Sequence, residues 1–240
     1  MIFVLRKAID PASRQFPASF LIAKDVLEVG EVAARIFLDV MSNNLHANVG
    51  LATGSTARAF YAALVNAHRE PNVSFSTVNT FNLDEYIGLP RSHPNSYWSE
   101  VVEQLGRHVG LPTAQIHAPD GTHPDPVAAA ASYEALLESV GGIDIQLLGL
   151  GRNGHIAFNE PGSPLESATR PVDLDPSTIQ ANQVHFPINE IMPRRAISMG
   201  ISTILKARRI VLIASGPAKA AALKDMLQGA IGPKCPASVL

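Results

Sequence analysis

The chain predicts an α/β fold, a mostly parallel sheet flanked by helices. Two runs, Ile143-Asp-Ile-Gln-Leu-Leu-Gly-Leu150 and Arg209-Ile-Val-Leu-Ile-Ala-Ser215, are nearly continuous in apolar residues, as strands covered by helices on both faces are. Stretches of helical periodicity lie between these and other strand-like runs, and such alternation implies parallel strands joined by right-handed crossovers. The third observation is where the polar chemistry falls. It collects just past the ends of predicted strands, which is where open sheets of this class hold ligands.

Taken in order, residues 1–18 have Pro11 and Pro17 bracketing a polar patch and read as an arm or extension. Residues 19–240 read as a single α/β catalytic domain. Phe20-Leu-Ile-Ala-Lys-Asp25 is a short strand, and Val26, Val29, Ala33, Phe37 and Met41 then recur at helical spacing behind Asp25, a plausible cap. Ala47 to Thr53 is a strand, and Gly54-Ser-Thr56 opens a helix that runs to about His68. Ser76 to Asp84 is β-branched and strand-like. Residues 94–109 read as a helix, residues 118–126 as a surface loop by their turn residues, and 127–140 as an alanine-rich helix. Residues 169–186 are polar and show no clear period. Residues 193–206 read as a helix or turn-helix, and the strand at 209–215 is followed by a helix with Pro217 in its first turn.

With 240 residues, 46% hydrophobic and 17% charged, the chain suits one well-filled domain. A net charge of -2 without a basic tract gives no bulk attraction to nucleic acid or anionic membrane, so an anionic ligand has to be caught locally. A single cysteine, Cys235, excludes an internal disulfide and fits a reducing cytoplasm. No apolar run approaches the ~20 residues of a membrane span.

Four turns carry chemistry. Leu51-Ala-Thr-Gly-Ser-Thr56 passes from strand to helix with hydroxyls and free helix N–H groups that suit a phosphate; an ordinary helix cap at Ser55 is the plainer reading. Ser215-Gly-Pro-Ala-Lys219 puts a lysine in a first helical turn, where the helix dipole disfavours it and a bound anion would justify it. Asn82-Leu-Asp-Glu-Tyr86 sets two acids at a strand end, where one of them suits proton transfer and the alternation of strand side chains lets only one face a cleft. Gly149-Leu-Gly-Arg-Asn-Gly154 formally matches a dinucleotide fingerprint. The segment after it, His155-Ile-Ala-Phe-Asn-Glu-Pro-Gly162, is broken by proline and glycine and lacks the helix that fingerprint needs. Asn153, His155 and Glu160 instead suggest an imidazole oriented by acceptors for acid/base work. Metal binding is the competitor, drawing on His155, Glu160 and Asp84, but no HxH or HExxH spacing supports it.

Together these turns resemble the glucosamine-6-phosphate deaminase (isomerase) family, whose modified Rossmann-like fold is shared with 6-phosphogluconolactonases. The matching pieces are Leu51 to Thr56, Thr80-Phe-Asn-Leu-Asp-Glu-Tyr-Ile-Gly-Leu89, His93-Pro-Asn-Ser-Tyr97, Gly149 to Pro161 and Ser215 to Lys219, spread over roughly residues 20–240. Ile156-Ala-Phe-Asn-Glu-Pro161 is similar to the deaminases rather than to the lactonases. The resemblance implies that Asp84 moves a proton between C2 and C1 of an open-chain amino sugar. It implies that His155 opens the ring, oriented by Glu160 and Asn153, and that Thr53, Gly54, Ser55, Thr56 and Lys219 hold the phosphate. Glu85 is counted with the substrate-binding residues. Fructose 6-phosphate and ammonia would be the products, with no metal or organic cofactor. The partner would be a small-molecule sugar phosphate, with no nucleic acid and no membrane, and the protein a cytoplasmic monomer or small homo-oligomer.

The chain also departs from the family. Asn153 stands where some members have Asp. Asn182-Gln-Val-His-Phe186 stands where the family usually reads Asn-Ser-Arg-Phe-Phe, so a phosphate arginine is missing at Val184, at a cost of ~1.5–3 kcal/mol unless His185, Arg170 or Arg194 replaces it. Arg58 lies where proline is common. The sequence stops at Leu240, short of the last strand and helix of many relatives, and Val172 is not basic, so activation by N-acetylglucosamine 6-phosphate is not expected. The competing readings are a galactosamine-6-phosphate deaminase, a 6-phosphogluconolactonase-like hydrolase and a non-catalytic sugar-phosphate-binding regulator.

Overall fold

A computed structural model describes residues 2–7, 18–69 and 74–240 and contains a seven-stranded sheet beside a three-stranded one. The strands are β1 (Ile2–Lys7), β2 (Ala18–Ile22), β3 (Asn48–Leu51), β4 (Asn79–Asn82), β5 (Asp84–Tyr86), β6 (Ile116–His117), β7 (Ile145–Gly149), β8 (Arg170–Asp173), β9 (Arg195–Ser198) and β10 (Arg209–Ala214). The helices are α1 (Val26–Asn43), α2 (Ser55–Ala67), α3 (Tyr97–Val101), α4 (Arg107–Val109), α5 (Pro126–Ser139), α6 (Pro176–Gln183), α7 (Ile201–Leu205) and α8 (Ala220–Gln228). A π-helical turn over Val102–Gly106 joins α3 to α4.

The large sheet has the order β2-β1-β10-β7-β3-β4-β6, and its five strands from β10 to β6 are parallel. The two apolar runs became β7 and β10 at its centre, where Ile145, Leu147, Leu148, Val211, Leu212 and Ile213 are at most 1% exposed. Burial of that kind on both faces stabilises by roughly 25 cal/mol per Å² of apolar surface. α1 lays Val29, Ala33, Phe37 and Met41 on the sheet. Its start is fixed as the sequence suggests: the Asp25 side chain accepts from Glu28 N at 2.9 Å, and Glu28 Oε2 accepts from Lys24 N at 2.6 Å.

Three stretches differ from the sequence reading. Part of the expected N-terminal arm, Ile2–Lys7, is strand β1, antiparallel between β2 and β10; its Ile-Phe-Val-Leu core has strand propensity that the polar patch after it masked. The rest of that arm lies outside the described residues. The aperiodic stretch at 169–186 contains β8 and α6, and the expected helix at 193–206 opens instead with β9, leaving only the short α7. β5, β9 and β8 form the second sheet, all antiparallel. Among the described residues no helix is long and apolar enough to cross a membrane.

Candidate active site

The order β10-β7-β3-β4 sets four parallel strand ends side by side, so the turns that follow them open on one edge of the sheet. From β3 the chain proceeds to β4 and β6 on one flank, and from β7 it reaches β10 on the other. Such a reversal leaves a crevice past the carboxyl ends of the two strands. β3 and β7 pair only at Val49–Ile145 and Gly50–Gln146, so they part before their ends.

The turn after β7 holds His155. Gly151 N donates to His155 O at 2.8 Å, and a Cβ on Gly151 would lie 2.3 Å from the imidazole, so only glycine lets the ring fold over the backbone here. Ile156 and Asn159 close the next tight turn, with Ala157 between them at φ 50, the one non-glycine of positive φ among the described residues. That turn brings Glu160 back to the ring: His155 Nδ1 lies 3.1 Å from Glu160 Oε2. The same oxygen accepts from Asn153 Nδ2 at 2.7 Å, and Oε1 accepts from Thr178 Oγ1 at 2.6 Å. Burial pushes the Glu160 carboxyl up, but the hydrogen bonds from His155, Thr178 and Asn153, with the imidazole charge, hold it below its ordinary value. An ionised carboxylate only accepts, so the His155 proton sits on Nδ1 and Nε2 is left for chemistry. Asn153 thus does not touch the imidazole. It binds Glu160 and, through Oδ1, the His155 backbone N–H at 3.2 Å.

Asp84 and Glu85 are neighbours on β5 and part company as strand neighbours must. Asp84 is 7% exposed, and its carboxylate has no hydrogen bond among the described residues. Burial, then Glu85, then Glu100 push its carboxyl well above the usual range, a condition suited to a base that works near neutrality. Glu85 corrects the sequence reading that counted it with the substrate-binding residues. Its Oε1 accepts from Tyr86 N and Tyr97 N at 3.0 and 3.1 Å, and Oε2 from Ser96 Oγ and Trp98 N at 2.7 and 3.0 Å. With 1% exposure and four donors satisfied, it closes the start of α3 and has no capacity left for a ligand. Asp84 is tied to the His155 turn through β9: it pairs with Ser198, whose Oγ accepts from Phe158 N at 3.1 Å. Asn159 Nδ2 donates to Met199 O at 2.8 Å on the same strand end.

The two anion turns, after β3 and β10, lie on either side of the His155 turn in the strand order. Gly54, at φ 99, is the N-cap of α2 and makes no side-chain cap, so Ser55 is not the ordinary helix cap that the plainer reading allowed. Thr53 precedes it, and Ser55 and Thr56 begin the helix. Gly216 at φ 85 turns β10 into Pro217–Lys219 and α8. Lys219 is half-buried, and its ammonium is held below the usual lysine value by burial and by Arg152. Neither cation has an ion pair among the described residues. Arg152 belongs to the turn after β7, the strand between β10 and β3, so it stands between the two anion turns.

Of the replacements for the missing arginine, Arg170 Nη1 donates to Asn159 Oδ1 at 2.8 Å, and Arg194 lines a groove of about 630 Å³ with Ile179, Val184 and Phe186. Val184 is 76% exposed. Sequence reasoning placed Arg152 in the loaded turn without giving it a role, and passed over Thr178. The start Asp175-Pro176, an N-cap followed by proline, was the signal that could have found α6 and with it Thr178. His93 Nε2 lies 2.8 Å from Glu190 Oε1. Among the described residues no group of three or more His, Cys, Asp or Glu side chains is placed to hold a metal ion.

Residues 24–240 match the family model described as glucosamine-6-phosphate isomerases/6-phosphogluconolactonase. The chain is 46% identical over 213 residues to a glucosamine-6-phosphate deaminase of Geobacillus sp. (strain WCH70), covering 89% of this chain and 85% of that one. It is 46% identical over 222 residues to glucosamine-6-phosphate deaminase 2 of Bacillus subtilis (strain 168), covering 92% and 89%. A solved structure of a monomeric glucosamine-6-phosphate deaminase matches with a TM-score of 0.88 at 42% identity, over 91% of this chain and 90% of that one. The 6-phosphogluconolactonase of Thermotoga maritima matches at 0.68 and 19% identity, over 92% of each, which is a likeness of fold.

Proposed function

The chain belongs to the family of glucosamine-6-phosphate isomerases and 6-phosphogluconolactonases, and from that premise we propose that it is an enzyme converting glucosamine 6-phosphate and water to fructose 6-phosphate and ammonia. The observation that carries the reading is an oriented imidazole in the turn after β7, between the anion turns that follow β10 and β3, with a buried, raised carboxyl on β5 just past the end of β4. Nε2 of His155 gives and takes the proton that opens the pyranose ring. Glu160, held by Asn153 and Thr178, stabilises the imidazolium form as it arises. Asp84 then takes the proton from C2 of the open-chain sugar and returns it at C1, which moves the double bond from C1 to C2 and leaves an imine there. Water adds to that carbon and ammonia departs, giving the ketose. The phosphate lies on the N–H groups that begin α2, at Thr53 to Thr56, with Lys219 and Arg152 neutralising it. The family's lactonases share this scaffold, yet Glu160 here supports the imidazole of an acid/base reaction rather than lactone hydrolysis.

The test is release of ammonia from glucosamine 6-phosphate and from its 4-epimer, with Asp84→Asn beside the wild type. Loss of at least ~100-fold of the rate is expected for the variant, the scale of a positioned general base. Ammonia release undiminished in Asp84→Asn would remove that residue from the mechanism.

A further inference from the structure

A carboxylate already sits on the anion turn of α2. Glu100, from the first turn of α3, accepts the Gly54 N–H at 3.3 Å through Oε1, and the same oxygen accepts from Gln104 Nε2 at 3.2 Å. No lysine or arginine is paired with Glu100 among the described residues, and its second oxygen has no partner there. Its charge is felt at Asp84, Tyr61 and Tyr97, where it adds to the upward push on each proton. Gly54 N–H is one of the donors that a helix of thirteen residues leaves free at its start. An anion drawn from the chain itself therefore occupies one of the donors assigned above to the sugar's phosphate.

We propose that Glu100 is an internal competitor for that cradle, seated on Gly54 N–H until the phosphate of the substrate displaces it. The inference rests on placing the phosphate at the start of α2. A carboxylate and a phosphate dianion cannot share one N–H, since like charges a few Å apart repel strongly where the effective dielectric is low. Binding must therefore include a swing of Glu100 out of the turn. The population in which it has swung out sets the apparent affinity, because a site open for only a fraction of the time binds with its intrinsic affinity scaled by that fraction. Specificity follows from the same competition. A monovalent carboxylate, as on a sugar acid, meets Glu100 on equal terms, whereas a phosphate carries the larger charge and three acceptor oxygens, so the cradle favours phosphate esters.

Glu100→Gln keeps an acceptor for Gly54 N–H and removes the charge. The experiment measures KM for glucosamine 6-phosphate and, separately, binding of inorganic phosphate by the shift of the thermal midpoint on titration, for wild type, Glu100→Gln and Glu100→Ala. Both variants are expected to bind phosphate about three- to tenfold tighter than wild type at low salt and to lower KM by a similar factor. An unchanged or higher KM, with phosphate bound equally or more weakly, would overturn the competitor role and make Glu100 a support of the turn. Should the wild type release no ammonia, the phosphate titration alone decides: tighter binding in the variants upholds Glu100 while the deaminase reading falls, and equal or absent binding ends the inference.

Discussion

Glu160 has more work to do than its single contact with the imidazole requires. Three donors converge on its two oxygens, one of them from Thr178 on α6, and together they outweigh the burial that pushes its proton affinity up. The Thr178 bond at 2.6 Å is a neutral donor on an ionised acceptor, worth about 1.5–3 kcal/mol. Thr178 does not touch the reacting atoms in this reading; it positions the residue that positions His155. Thr178→Val, similar in shape and lacking the hydroxyl, is therefore expected to lower kcat by roughly tenfold while KM stays within about twofold, with Thr178→Ser recovering most of the loss. A variant that changed only KM would show that α6 serves substrate affinity and not the His155–Glu160 pair.

At the scale of elements, β5 and α3 are locked by Glu85. Its removal strands the backbone N–H groups of Tyr86, Tyr97 and Trp98 and the Ser96 hydroxyl in a buried place, which costs about 3 kcal/mol for Glu85→Ala. For a chain of 240 residues that is a fall of roughly 6–12 °C in thermal midpoint, and a loss of activity without that fall would return Glu85 to the substrate. The sequence identified elements where a period or a cap spoke, as with Asp25 before α1 and the apolar runs of β7 and β10. It misled where tertiary pairing decided. β9, Arg195–Ser198, is a strand because β5 and β8 flank it, and the run Pro193 to Lys206 carries no period that says so. The site was legible as residue types in turns. Its division of labour was not, because Asp84 and Glu85 look alike in sequence and differ only in what lies on each face of β5.

For the whole molecule, the sheet that gathers the four turns also dictates a stability cost. Asp84 is buried beside two other carboxylates and has no cation among the causes that shift its proton affinity, all of which raise it. A carboxyl whose folded pKa lies above its unfolded value favours the folded state below the unfolded pKa, and that contribution is lost as pH rises through the folded pKa. Below about pH 4 the side chain is neutral in both states, and Asp84→Asn should match the wild type in midpoint. Across neutral pH the wild type must ionise Asp84 in a poor solvent or keep its proton, whereas the amide does neither. The variant is therefore expected to be more stable by about 1–3 kcal/mol at pH 8, with the advantage growing steadily from acid to base. Thermal denaturation of the two proteins at half-unit steps from pH 4 to pH 9 measures it. A constant difference across that range would mean that Asp84 ionises as readily in the fold as in the unfolded chain, and the argument for a raised, poised base would go with it. A growing difference, alongside lost ammonia release, would show a fold that tolerates a destabilising charge at the place where its chemistry needs one.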